Sequence, residues 1–295
     1  MRGETIKKET RKETKLSRIF LSKKYLLRLD NQMCIGCGIC AQICPKEAIT
    51  EHPSSVVNGC LKKKPTIDID PQSCIFCGEC VILCPYNALK MEVDDKEITN
   101  IVKSEAFPVL SKDVNVQKNI CYFEPECELE CQESCPIKVI KAETKRSKDG
   151  KILRVMEVKI NKALCLYCGV CESACPLRAI RVKKPFQGAI KVNKDLCPEG
   201  CRACIDICRT RAIELGEDRK PVLSSKFCLF CSACQKVCPK GAITVERTEV
   251  SHSDVKAAAW LTALKKLTSV ETFAKERQRE SGKNRFSIIK KRQLD

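Results

Sequence analysis

Residues 34 to 45 read Cys-Ile-Gly-Cys-Gly-Ile-Cys-Ala-Gln-Ile-Cys-Pro, a C-x2-C-x2-C-x3-C-P run. Three thiolates three residues apart let one tight loop wrap one face of an iron–sulfur cube, and ligation by thiolate alone suits a [4Fe–4S] cluster. Gly36 and Gly38 let the backbone come close enough for amide N–H groups to donate to sulfur. Pro45 stops the loop, suits the first turn of a short helix, and aims Cys44 away from its three neighbours. The spacing recurs unchanged at Cys74, Cys77, Cys80 and Cys84, at Cys165, Cys168, Cys171 and Cys175, and at Cys228, Cys231, Cys234 and Cys238. Two variants complete the set. Cys121, Cys127, Cys131 and Cys135 stretch the first gaps, and Cys197, Cys201, Cys204 and Cys208 add one residue and end in Arg209 rather than proline. Six quartets use 24 of the 25 cysteines, all 24 being candidate iron ligands, and imply six [4Fe–4S] clusters. Cys60 is left over and reads as a free, partly buried thiol.

Other uses of cysteine fit less well. A secreted disulfide scaffold is disfavoured by the odd total and by an N-terminus, MRGETIKKETRKETK, without an apolar leader core; a cytoplasmic protein is expected. Four-cysteine zinc sites favour two separated C-x2-C pairs, so zinc is a rival chiefly at the stretched Cys121–Cys135 motif. No apolar run reaches the roughly 18 residues of a membrane span. There is no G-x-G-x-x-G, P-loop or H-E-x-x-H motif, and His52 and His252 lie apart in loops as surface residues. No catalytic residue is expected.

The formal charge of +17 suggests a nucleic-acid binder until it is divided along the chain. Residues 1–29 carry +7 and residues 251–295 carry +6, leaving +4 for the cysteine-bearing middle. Six oxidised clusters with their thiolates bring that middle to about −8. Binding of nucleic acid through the basic tails is therefore the alternative function, weakened by the lack of a basic groove interleaved with aromatics.

The elements that must position these loops are short. Strand-like pieces enter the motifs at Tyr25–Leu29, Thr66–Ile69, Met156–Ile160 and Ala189–Val192, and leave them at Ala88–Val93, Ala179–Val182, Ala212–Leu215 and Ala242–Val245. Strand, cluster loop, short helix, strand is one repeat, and two repeats face each other in one α+β module. Aromatics are 5% of residues, so clusters take the place of a large core and cluster binding is coupled to folding. The expected plan is a basic arm at 1–24, module one at 25–93, a linker or inserted lobe at 94–116, module two at 117–186, module three at 187–250, and a C-terminal helix with a basic tail at 251–295. The linker or inserted lobe carries Pro108 and runs up to Asn119 at most; 141–150 reads as a charged loop turning at Asp149-Gly150. Ser251–Asp254 resembles a capping box, and Val255 to Glu280 follow helical spacing. Trp260, Leu264 and Leu267 on that helix are expected to anchor a partner, leaving the modules to fold without it.

Over residues 25–250 the chain resembles the archaeal polyferredoxins, tandem arrays of two-cluster ferredoxin modules within larger redox enzymes. The stretch Cys84-Pro-Tyr-Asn-Ala-Leu-Lys, the lobe through Ala106-Phe-Pro108 and the Cys121–Cys135 motif are similar to the polyferredoxin subunit of formylmethanofuran dehydrogenase. The resemblance implies electron transfer through six clusters in a row, at a potential of about −400 mV. It also implies a formylmethanofuran dehydrogenase, hydrogenase or heterodisulfide reductase type of partner complex, and other ferredoxins as partners. In two-cluster ferredoxins the fourth cysteine of each motif serves the other cluster. Motifs one with two, three with four and five with six are the straightforward pairs, with a nested arrangement open because motifs four and five also lie close.

Overall fold

A computed structural model describes residues 4–20, 22–122 and 127–269. Strand pairing follows one rule. The strand entering a first motif pairs with the strand leaving the second, and the strand leaving the first pairs with the strand entering the second. Lys23–Asp30 lies antiparallel to Leu89–Val93, with Leu29 opposite Leu89, and Ile49–His52 to Thr66–Ile69. Asp113–Val116 pairs with Ile180–Lys183, and Ile140–Arg146 with Ile152–Ile160. Phe186–Val192 pairs with Ile243–Val250, and Ile213–Leu215 with Pro221–Leu223. This reciprocal pairing holds two cysteine loops face to face, and the short helices that follow them, such as Ile39–Ile43 and Glu79–Ile82, pack side by side.

Several expectations need correcting. The basic arm expected at 1–24 is not separate from the first module where described: Thr5–Glu9 and Glu13–Phe20 form a hairpin that extends the first sheet to five strands. Thr14 and the fully buried Leu16 fill its inner face, where Lys7, opposite Leu16, pairs with Asp68, and Arg18 lies over the Phe76 ring. Segment 94–116 is not a separate linker: Asp113–Val116 is a strand of the second unit, and Phe107 is 1% exposed. Phe186 opens the third unit rather than closing the second. Most of 141–150 is strand, and only the turn ending at Gly150 remains loop.

The C-terminal helix runs Ala258–Thr268; its N-cap is Ala257, without a side-chain cap, so the Ser251–Asp254 box does not begin it. Its expected continuation towards Glu280 and the basic tail lie outside the described residues. Trp260, Ala263 and Leu267 are buried in the molecule's own core, so this face does not dock a partner. Trp260 meets Phe107 edge-on with centroids 5.1 Å apart and His252 at 4.7 Å. His252 is therefore a packing residue, while His52 is exposed. The reason is non-local: the helix covers Ile39–Ile43, where Gln42 and Lys266 exchange side-chain-to-carbonyl hydrogen bonds.

Candidate metal centres

The conformation of each loop is set by where its N–H groups point. At the second residue after the leading cysteine the backbone has positive φ: Gly36 at 65°, Phe76 at 54°, Tyr167 at 54° and Phe230 at 49°. For aromatic residues this is a strained conformation. It turns the N–H back onto the leading thiol, at 3.4 Å for Gly36 to Cys34 Sγ, 3.4 Å for Tyr167 to Cys165 Sγ and 3.2 Å for Phe230 to Cys228 Sγ. Gly36 has a second cause that sequence alone does not show. A Cβ there would stand 2.2 Å from the carbonyl oxygen of Pro65. The fourth cysteines receive N–H groups in the same manner, from Ala48, Ala88, Ala179 and Ala242 at 3.2 to 3.3 Å. N–H groups aimed at sulfur favour its anionic, metal-bound form.

The fourth cysteine of each motif crosses to its partner. One apolar pocket is lined by Cys34, Cys37, Cys40 and Cys84, and another by Cys44, Cys74, Cys77 and Cys80. A third is lined by Cys165, Cys168, Cys171 and Cys135. Charge coupling groups the remainder. Burial first, then like charge from Cys127 and Cys175, raises Cys121 to about 11. Burial, then like charge from Cys201, Cys197 and Cys238, raises Cys204 to about 12. Burial, then like charge from Cys231 and Cys228 and, after them, Cys208, holds Cys234 well above the ordinary thiol value. The structure thus brings together six groups of four, and the variant motifs assemble as the regular ones do.

These surroundings fit an iron–sulfur cluster. Four buried thiolates without a cation would repel one another in an apolar pocket, and a cationic core removes that penalty. Among the described residues no three His, Cys, Asp or Glu side chains converge closely enough for a single ion, so the thiols stand apart as ligands around a larger group do. All 25 cysteines are free thiols, which leaves no disulfide framework. Cys60 joins no quartet. It lies in the hairpin of Ser55–Val57 and Cys60–Lys63, which docks on the third unit through Arg202 N to Gly59 O at 2.8 Å and Leu61 N to Asp206 Oδ2 at 3.0 Å. The missing proline after Cys208 also has a cause: Arg209 crosses to the first unit, donating to the carbonyl of Gln32 and to Met33 Sδ.

The quartets do not run in a row. Three of them meet, one from each unit. Tyr86, 3% exposed, follows Cys84 and donates its hydroxyl to Cys231 Sγ at 3.2 Å, joining the first unit to the third. Arg247 lies buried at the same junction, where its charge acts on both Cys37 and Cys231. Between the first and second units, Lys112 donates to Asn87 Oδ1 at 2.9 Å, Asn87 donates to Cys165 O at 3.3 Å, and the ammonium acts on Cys84 and Cys165. Between the second and third, Lys184 donates to Cys228 O at 3.3 Å and acts on Cys228 and Cys168. Cys74, Cys121 and Cys197 belong to the three outer groups. The sequence assigns no role to Tyr86, Lys112, Lys184 or Arg247, although Tyr86 lies in the quoted Cys84–Lys90 stretch. Arg247 leaves a further signal, since strand alternation places it on the buried face with Ile243 and Val245.

Known proteins agree with this geometry. The 4Fe–4S dicluster domain family model matches residues 33–88, 106–179 and 196–242, more than half of the chain. A polyferredoxin protein MvhB from Methanothermus fervidus is 33% identical over 94 residues, 29% of this chain and 22% of the relative. A ferredoxin from Methanothermococcus thermolithotrophicus is 35% identical over 60 residues, 20% of this chain and 98% of the relative. The chain thus matches only about a fifth of the length of that polyferredoxin. A chain of the formate dehydrogenase–heterodisulfide reductase–formylmethanofuran dehydrogenase complex from Methanospirillum hungatei superposes with a TM-score of 0.76 at 27% identity, covering 91% of this chain and 92% of that one. No helix among the described residues is long and apolar enough to cross a membrane. The chain belongs to the 4Fe–4S dicluster domain family, and over part of its length it is similar to archaeal polyferredoxins.

Proposed function

We propose that the chain is an electron-transfer subunit of six [4Fe–4S] clusters in three two-cluster modules, held by the 24 cysteines of the six quartets and serving a larger redox enzyme. The observation that carries this reading is the crossing of Cys44 with Cys84, of Cys135 with Cys175 and of Cys208 with Cys238, which closes six four-thiol groups. Each bound cluster supplies one-electron chemistry at low potential. The chain's own part is to exclude water from the thiols, to donate N–H groups to sulfur, and to fix the distances between groups. The likeness to the formylmethanofuran dehydrogenase complex favours a partner of that type, and the likeness to a polyferredoxin protein MvhB keeps a hydrogenase as the second. Because inner quartets from all three units meet, the chain joins three electron entry or exit points instead of two. Anaerobic reconstitution with iron and sulfide analysis tests the reading, which expects about 24 iron atoms per chain. A stable count near 16, or stoichiometric zinc, contradicts it at the variant motifs.

A further inference from the structure

Arg247 is 6% exposed, and among the described residues every hydrogen bond it makes goes to a neutral acceptor. Nη1 donates to Phe230 O at 2.8 Å and to Ser232 Oγ at 3.2 Å, Nε to Leu267 O at 3.1 Å, and Nη2 to Gln42 Oε1 at 2.9 Å. Among the described residues no carboxylate lies within ion-pair reach of it. A buried guanidinium without an anion is costly, and a fold keeps one where the counter-charge comes from something else. Arg247 Nη1 bonds to Phe230 and Ser232, the two neighbours of Cys231, and the thiols of Cys37 and Cys231 are the negative groups that act on it. The other two junctions repeat the arrangement with Lys112 between Cys84 and Cys165 and Lys184 between Cys168 and Cys228.

The outer groups have carboxylates close to their thiols, and the cations beside them are not buried as Arg247 is. Glu79, 6% exposed, sits between Cys77 and Cys80, and Glu130 Oε2 lies 3.7 Å from Cys127 Sγ. Lys220 acts on Cys197 ahead of the opposing Asp218, and Arg18 acts on Cys74 ahead of the opposing Asp70. Inward carboxylates are already paired or shared: Glu51 with Lys236, and Glu172 with Arg181.

We propose that Arg247, Lys112 and Lys184 are positioning residues that hold the three meeting clusters at a higher reduction potential than the three outer ones, so that electrons entering by any module settle at the junction. The inference rests on the reading of the quartets as cluster ligands. Uptake of one electron from an external low-potential reductant adds one negative charge to a group that already carries about two, with no bond broken and no proton moved. A fixed cation nearby in a low-dielectric site favours that added charge, and a carboxylate opposes it.

Anaerobic potentiometric titration of the reconstituted full chain with dithionite, read by electron paramagnetic resonance, tests this. In the wild type three of the six clusters reduce above the other three. Arg247→Met shifts two of the upper three by at least tenfold in the oxidised-to-reduced ratio at fixed potential, about 59 mV for a one-electron couple. Arg247→Lys, which keeps the charge but not the hydrogen-bond fork, stays near wild type. A structural role alone would move the melting temperature in both variants and the potentials in neither. Unchanged potentials in Arg247→Met at full iron content overturn the inference and leave the cluster reading standing. A wild-type chain that takes up no clusters overturns both. Where Arg247→Met loses iron, Lys112→Met reads the same shift on the quartets of Cys84 and Cys165, and its absence there overturns the inference.

Discussion

The quartet completed by Cys84 and the quartet completed by Cys44 lie in one unit and use one loop spacing, but their surroundings differ. Around the first, Tyr86 bonds to a thiol of another unit, and Arg247 and Lys112 bring positive charge from neighbouring elements. Beside the second, Ile75 is 50% exposed and an open cavity lined by Arg18, Lys46, Gln72, Ser73 and Ile75 reaches the loop. The third unit repeats the contrast: Leu196, before the outer Cys197, is 52% exposed, whereas Leu229 beside the inner Cys228 is buried. Twelve residues of motif thus decide that a cluster can bind. Contacts far away in sequence decide whether it faces a partner or another cluster.

Breaking the crossing gives the largest effect. Cys44→Ser removes the cluster of the Cys74 group and Cys84→Ser that of the Cys34 group, each costing about four irons per chain by iron and sulfide analysis. Cys84→Ser, at the junction, should also slow electron exchange between units in stopped-flow reduction, whereas Cys44→Ser should not.

Next in size, Trp260→Ala is expected to destabilise the chain by about 3–5 kcal/mol in anaerobic denaturant unfolding, because a fully buried indole leaves a cavity between Phe107 and the Ile39–Ile43 helix. The same variant loosens the Leu267 carbonyl that receives Arg247 Nε, so it should lower inner-cluster potentials as well. Leu16→Ala costs about 2–3 kcal/mol through the N-terminal hairpin and leaves the inner potentials unchanged. Smallest is Tyr86→Phe, about 1 kcal/mol, with a slight potential fall confined to the group of Cys231.

Much of this molecule is written locally. Cysteine spacing and the strand-like pieces around it, Thr66–Ile69 among them, depend on neighbours within a dozen residues, and the structure holds them with boundaries shifted by a few positions. What escaped is written between units. In the N-terminal hairpin, Leu16 shares its face with Thr14, Lys7 and Arg18, so alternation does not stand out among the charges. Trp260 and Leu267 do lie on an amphipathic helix, but an apolar stripe does not say whether its cover is a partner or the Ile39–Ile43 helix more than 200 residues earlier. Arg247 alternates correctly into the strand interior, yet its duty depends on Gln42, Phe230 and Leu267, which only folding assembles. Cys60 and Arg209 likewise owe their positions to contacts between the first and third units.

The crossed ligation and the meeting of three clusters can be seen in an anomalous-difference map at the iron edge, from crystals of the anaerobically reconstituted chain. Six separate cluster-sized peaks are expected in this arrangement, with Cys84 bound to the same peak as Cys34 and Cys44 to the same peak as Cys74. Three of the six should be grouped around Tyr86, Lys112, Lys184 and Arg247. Peaks of single ions, a Cys34–Cys44 pair on one peak, or six peaks strung in a line would contradict it.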